Sequence, residues 1–387
     1  MSVVVSQQSW LGRIRESIKG FLFGLALFIA AFPVLFLNEG RAVRTEKSLK
    51  EGQGAVVTVP ADRIDPANDQ KLVHLSGQAA TEEQLSDPEF GIAANAIKLR
   101  RKVEMYQWQE KKESTTEKRA GGSTETKTTY TYSKDWSGDL ADSSSFNEAS
   151  GHENPSSLPY QNHETVAQKV NVGAFNLTPS LISQMDDFEN VPVNDQTAAL
   201  PEALKAQVKV HDGNYYLGAE PAAPQIGDVR ISFAAVKPAE VSVVSKQVGN
   251  SFEAYHATAG MDIEMLKRGV HTAKAMFESA LAQNTMLTWI LRAVGFIMMA
   301  LGLVMFFRPL SVLGDVVPFI GSLLAFGTGI FALAISGALS VATIAVAWVV
   351  YRPVLGIFML SVAIAALVAL AMSGRKRAAA LKTVPAS

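Results

Sequence analysis

The chain has 387 residues, 35 Lys and Arg against 36 Asp and Glu, a net charge of −1, and 48% hydrophobic residues. That balance supplies no overall positive field for a polyanionic partner, so the chain does not read as a nucleic-acid binder. It has no cysteine, which excludes disulfides, thiolate metal sites and a Cys nucleophile.

Residues 1–19 carry Arg13, Arg15 and Lys19 and read as a cytoplasmic N-terminus. Gly20 to Leu37, GFLFGLALFIAAFPVLFL, follows with 18 uncharged residues. A spanning helix needs about 20 largely apolar residues, so 20–37 is expected to be transmembrane helix 1. Leu35 and Leu37 stand where signal cleavage needs small residues, which favours an uncleaved anchor over a secretory signal. Pro33 is expected to kink the span. Residues 38–54 read as a short polar helix or turn leaving the membrane.

Strand signals come next. AVVTV (55–59) and KLVHLSG (71–77) flank the turn-forming IDPAND. In LRRKVEMYQWQE, Leu99, Arg101, Val103, Met105 and Gln107 alternate onto one face. Arg100, Lys102, Glu104, Tyr106, Trp108 and Glu110 fall on the other. TTYTYSKDW (128–136) is the natural partner of this strand. A hairpin closing around 119 or 120, with centre 119, sets Tyr106 opposite Tyr132 and Trp108 opposite Tyr130. NYYLG, GDVRISFAAV and EVSVVSKQV supply three more strands, and SLISQMDDF a short helix. Leu266, Val270, Ala273, Phe277 and Leu281 recur at helical spacing, which predicts an amphipathic helix over 261–284. Residues 38–284 are thus expected to form a large, mainly β extracytoplasmic domain, periplasmic or luminal.

Three further apolar runs follow. Residues 285–307 are expected to be transmembrane helix 2. Residues 316–350 form either one long helix or a helical hairpin, and 354–372 are expected to be transmembrane helix 4. The tail, 373–387, is basic through Arg375, Lys376 and Arg377, and an even number of spans places it on the same side as Arg13. The expected class is an α+β membrane protein with a four-helix transmembrane region.

Chemistry is sparse. The six histidines show no close metal spacing, and no phosphate-binding or nucleophile-elbow motif is present, so neither cofactor nor metal is expected. His152, His163 and the pair Asp186 and Asp187 are the residues from which an enzyme acting on lipid or glycan would have to be built. Arg100, Arg101, Lys102, Tyr106, Trp108 and Arg292 are candidates for lipid or partner contact, since Tyr and Trp favour membrane interfaces and Arg292 is near enough to one to snorkel. Gly321, Gly327, Gly329, Gly337 and Ser340 suit close helix packing.

Eight collinear stretches, FLNEGRAVRTEKSLKEG, LVHLSG, LRRKVEMYQWQE, TYTYSKDWS, HENPSSLPYQ, VGAFNLT, GDVRISF and WVVYRPVLG, resemble the transmembrane protein 43 family, also called LUMA. The likeness runs from about residue 20 to 372. It implies four spans with a luminal or periplasmic domain between the first two. It also implies an oligomerising scaffold with envelope-protein partners, in the endoplasmic reticulum and inner nuclear membrane of eukaryotes, and it offers no catalytic residues to carry over. The short termini and absent cysteine suit a bacterial member in the inner membrane. The expected function is therefore a non-enzymatic, self-associating scaffold that organises membrane lipid or envelope proteins. A lipid conduit or channel is the alternative.

Overall fold

The computed structural model describes residues 1–193, 200–358 and 361. The chain divides into two units. A β-rich unit comprises Met1–Ser6, Ser48–Thr116 and Thr126–Ser279; a helical unit comprises Gln7–Lys47, Glu117–Glu125 and the chain from Ala280 onward.

The β-rich unit is built on two large sheets. The first runs in the order Ser2–Gln8, Thr124–Ser137, Lys98–Lys118, Val229–Val236, Asn214–Leu217, Val208–His211. The second runs Phe175–Asn176, Asn171–Val172, Leu72–Ala80, Ala239–Val248, Ser251–Glu253. The predicted alternation is seen in Lys98–Lys118, where Leu99, Arg101, Val103, Met105 and Gln107 are all buried. Val229–Val236 pairs antiparallel with it, Ile231 opposite Val103 and Val229 opposite Met105. One continuous apolar core collects Leu75, Phe90, Ile97, Met105, Phe175 and Phe233. Phe90 sits at its centre, with ring contacts to Tyr160, Tyr215 and Phe233.

Three expectations need correction. The hairpin closes two residues later than aromatic pairing suggested. Thr116 bonds Thr126, Ser114 bonds Thr128, and the Arg119 amide donates to the Ser123 carbonyl. Tyr106 therefore meets Trp136, with ring centroids 5.3 Å apart, and Trp108 meets Lys134 rather than Tyr130. The reason is at the tip. Gly121 and Gly122 both have φ near +80°, so the turn is centred on the residues that adopt it without a Cβ clash.

The amphipathic helix expected over 261–284 is instead two short strands, Asp262–Ile263 and Met265–Arg268, followed by helix α4 from Ala273. Sheet pairing wins because Val241 to Val244 offer Arg268 to Met265 a ladder partner, and Val270, expected on the apolar face, is 71% exposed. Finally, residues 38–54 are neither a turn nor a separate helix. They continue helix α1, Trp10–Ala55, which is unbroken for 46 residues despite Pro33. Between α1 and α4 lie the short helices α2, Pro179–Ser183, and α3, Glu202–Lys205.

The helical unit contains most of α1, α4 (Ala273–Gly314) and α5 (Pro318–Tyr351). Among the described residues these are the three helices long and apolar enough to cross a membrane. Within the run 316–350, residues from 318 onward thus form one long helix and not a hairpin. The expected fourth span, 354–372, lies outside the described residues except for 354–358 and 361. Helices α1 and α4 approach through glycines. A Cβ on Gly302 would stand 2.7 Å from the Phe28 amide nitrogen and 2.8 Å from the Gly24 carbonyl. Close backbone approach of this kind is how helices pack when lipid offers no hydrophobic drive.

Candidate functional site: the basic strand and the charged ends of the helices

In the β-rich unit the basic triplet is divided among three environments. Arg101 points inward, is 6% exposed, and is held by Asp87 at 3.1 Å, Glu89 at 2.6 Å and the Gln161 carbonyl, with Phe90 beneath its guanidinium. A buried cation with this many acceptors is a structural fixture, since leaving it unpaired would be costly. Arg100 is half-exposed, paired with Glu164 and stacked over Phe188 at 3.8 Å. Lys102 pairs with Glu104. Together the three border a shallow open hollow with Asn162, His163 and Glu164.

The aromatic side chains are also engaged. Trp108 lies edge-on to His152 and under Lys134, while His152 stacks on Tyr132 at 3.8 Å. Asn154 bonds both the amide and the carbonyl of Trp108, which fixes the loop HENPSSLPYQ against the strand. His152 bonds the Glu148 carbonyl and His163 bonds Thr165, so the two histidines take separate partners. Among the described residues no group of three His, Asp or Glu is placed to hold a metal ion. The deeply buried histidine is His74, with Nε2 2.8 Å from the His271 carbonyl and Nδ1 3.3 Å from Thr58 Oγ1. Burial pushes its pKa below the ordinary histidine value, and the bond to the His271 carbonyl opposes this only in part.

The helical unit has a charged layer at each end. At one end Glu39, 2% exposed, accepts from Arg292 Nε at 2.6 Å and Nη2 at 2.9 Å, and from Trp348 Nε1 at 2.8 Å. One carboxylate therefore ties α1, α4 and α5 together. Trp289 and Trp348 lie beneath the Arg292 guanidinium. Nearby, Arg41 donates to Asn284 and Thr288, and Arg352 pairs with Glu46. Arg292 thus does not snorkel to water. It is neutralised inside the bundle, which is the cheaper solution for a cation at this depth.

At the other end the hub is Asp315, in the turn between α4 and α5 and 1% exposed. It accepts from Arg13 at 2.5 Å and from Lys118 at 2.6 Å. Around it Trp10 Nε1 donates to the Val312 carbonyl, Arg13 to the Gly122 carbonyl at 2.6 Å, and the Gly121 amide to the Val316 carbonyl at 3.1 Å. The Trp10 ring fills the space where Gly122 lacks a Cβ. The tip of the long hairpin is therefore built into this end of the helical unit.

Of the residues expected at helix contacts, Gly321 packs on Asp315, and Ser340 is buried with its hydroxyl against Met299 Sδ. A Cβ on Gly337 would come only within 4.0 Å of Phe296, and one on Gly327 or Gly329 would meet nothing within 4 Å among the described residues. Helices α1 and α5 also border an apolar groove lined by Phe32, Pro33, Phe36, Leu37, Leu339 and Val346.

Sequence reasoning missed Glu39 and Asp315 because each looked like an ordinary residue just outside an apolar run. A signal for Glu39 existed: Arg292 inside a span requires an acid at its own depth, and Glu39 stands two residues past the end of span one.

No solved structure matches the chain. The sequence profile of the family described as Transmembrane protein 43 matches residues 105–353. The human protein named Transmembrane protein 43 is 33% identical over 360 residues, covering 90% of this chain and 88% of its own length. The mouse protein of that name is 34% identical over 358 residues, with the same coverage of each chain. The Drosophila melanogaster homolog is 31% identical over 344 residues, 87% of this chain and 89% of its own. With apolar helices of spanning length and matches along nearly its whole length, the chain belongs to the Transmembrane protein 43 family.

Proposed function

We propose that the chain is an integral membrane scaffold that self-associates and organises membrane lipid or envelope proteins through its β-rich domain. The observation that carries this reading is the pattern of use in the helical unit. Its most enclosed charges are spent on internal ties, Glu39 with Arg292 and Asp315 with Arg13 and Lys118. Its outer surface is apolar, with Phe23 62%, Ile297 51% and Phe326 68% exposed. On that surface α5 carries Gly327 and Gly329, with nothing within 4 Å of a Cβ built on either among the described residues, and a small-residue face of this kind is suited to a second helix. The groove between α1 and α5 suits an acyl chain, and Arg100 and Lys102 offer charge to an anionic headgroup or protein partner.

The reading has no enzymatic step and no cofactor. In a bacterial cell it places the protein in the inner membrane with the β-rich domain in the periplasm. The test is size-exclusion chromatography with light scattering on the detergent-solubilised chain, with lipid extraction of the peak. An oligomer that carries phospholipid is expected; a strict monomer without lipid would contradict the proposal.

A further inference from the structure

Where α5 ends, the helical unit forms a corner that combines cations with bare hydrocarbon. The uncharged run of α5 stops at Val350 and the next apolar run begins at Val354, so Tyr351, Arg352 and Pro353 stand between two apolar stretches. The chain turns back sharply there. A Cβ on Gly356 would lie 2.5 Å from the Val349 amide nitrogen, and the Gly356 amide bonds the Arg352 carbonyl at 2.8 Å. Tyr351 closes down on α1, its ring against Gly40 and 5.3 Å from the ring of Phe36.

This corner and Lys47 of α1 border an open hollow of about 560 Å³, and every residue that lines it belongs to the helical unit. Its lining includes two cations, Lys47 and Arg352, and three apolar side chains, Val354, Leu355 and Phe358. Arg352 gives Nη2 to Glu46, and its other guanidinium nitrogens have no acceptor among the described residues. Lys47 is exposed and has no hydrogen-bond or ion-pair partner among the described residues. With Glu46 set against the two cations, one positive charge is left over. The sequence after Phe358 brings Arg375, Lys376, Arg377 and Lys382 and no Asp or Glu, so none of its side chains neutralises that charge.

We propose that this corner binds an anionic phospholipid, its phosphodiester held by Lys47 and Arg352 and its acyl carbons laid on Val354, Leu355 and Phe358. The proposal rests on the lipid-organising part of the function above and gives it a site and a headgroup charge.

Two features favour a lipid over a soluble anion. Val354 is 85% and Phe358 63% exposed, and a free phosphate would leave both in water, whereas acyl chains cover them. Tyr351 and Arg352 at the junction of two apolar runs are also the residue types that the headgroup level favours, and basic pockets beside membrane helices hold anionic headgroups.

The test titrates the detergent-solubilised full chain with dioctanoyl phosphatidylglycerol, dioctanoyl phosphatidylcholine and glycerol phosphate. Phosphatidylglycerol is expected to bind at least about fivefold more tightly than phosphatidylcholine, as one cation near a headgroup provides. Lys47→Gln, which removes no tie within the described protein, is expected to abolish that preference, and Lys47→Arg to keep it. Phe358→Ala is expected to weaken both lipids together. Equal affinity for the two lipids, or an unchanged preference in Lys47→Gln, overturns the site. Glycerol phosphate binding as tightly as phosphatidylglycerol assigns the hollow to a soluble anion and overturns the lipid. A chain that copurifies with phospholipid as an oligomer but shows no headgroup preference loses this site alone. A monomer that retains the Lys47-dependent preference loses the self-associating scaffold and keeps the site.

Discussion

The β-rich and helical units are stabilised by opposite arrangements of the same residue types. In the β-rich unit apolar side chains are inside: Leu75, Phe90, Ile97, Phe175 and Phe233 are nearly or fully buried in one continuous cluster. In the helical unit a small buried cluster joins Ala31, Leu35 and Met299, while large apolar side chains such as Phe23, Ile297 and Phe326 face outward. Charges do not follow the same inversion: both units enclose ion pairs, Arg101 with Asp87 in the β-rich unit and Glu39 with Arg292 in the helical unit. Water drives the first pattern through the hydrophobic effect. The second is stable only where the solvent is itself apolar and cohesion comes from close backbone contact and satisfied polar ties. The difference identifies which part of the chain is solvated by lipid.

The sharpest way to break the contrast is to remove a hub acid. Glu39→Gln leaves Arg292 enclosed without its counter-charge, and removal of one partner of a buried pair costs about 3–5 kcal/mol. Loss of the folded peak in detergent is expected, with substantial recovery in the double variant Glu39→Gln, Arg292→Met. Asp315→Asn is expected to cost a similar amount, with freed motion of the hairpin tip read by hydrogen exchange at residues 119–123.

Next in size is Gly302→Leu. Its Cβ would meet backbone atoms of Phe28 and Gly24 inside 3 Å, and overpacking costs about 1–3 kcal/mol. A lowered thermal midpoint in detergent is the readout. Gly327→Leu, whose Cβ meets nothing within 4 Å among the described residues, is expected to leave that midpoint unchanged and to lower the oligomer fraction instead.

The smallest effect is a pH dependence confined to the β-rich unit. The lowered pKa of His74 means that the unfolded chain binds the proton more readily than the fold does. The stabilisation from neutral His74 is therefore complete above the ordinary histidine value and is lost as pH falls below it towards the lowered one. The thermal midpoint of the β-rich unit should fall slightly on acidification through that window, and His74→Gln should flatten the change.

Much of the architecture is legible in the sequence because it rests on local periodicity. Alternation placed Leu99 to Gln107 correctly, and the uncharged runs 20–37, 285–307 and 316–350 fall on the three long apolar helices among the described residues. What failed was long-range. The hairpin register was set by two glycines with positive φ, and aromatic pairing across the strands could not reveal that. Leu266 and Val270 extended the helical spacing of Ala273, Phe277 and Leu281 upstream, but Met265–Arg268 was captured by a waiting strand, Val241 to Val244. The ionic hubs join residues some 250 to 300 positions apart in sequence, Glu39 to Arg292 and Arg13 to Asp315, so local spacing carries no trace of them. The candidate basic patch was visible as a patch, but the inward turn of Arg101 to Asp87 and Glu89 followed from strand parity that the reading already contained.

The central proposal is that the face of α5 carrying Gly327 and Gly329 meets another copy of the chain while the remaining outer surface meets lipid. Disulfide trapping in native membranes tests it most directly, with Gly327→Cys on that face and Leu301→Cys, 51% exposed on α4, as the lipid-facing control. The account predicts a covalent dimer from Gly327→Cys under mild oxidation and little or none from Leu301→Cys. Equal trapping at both positions, or none at Gly327→Cys, would contradict it.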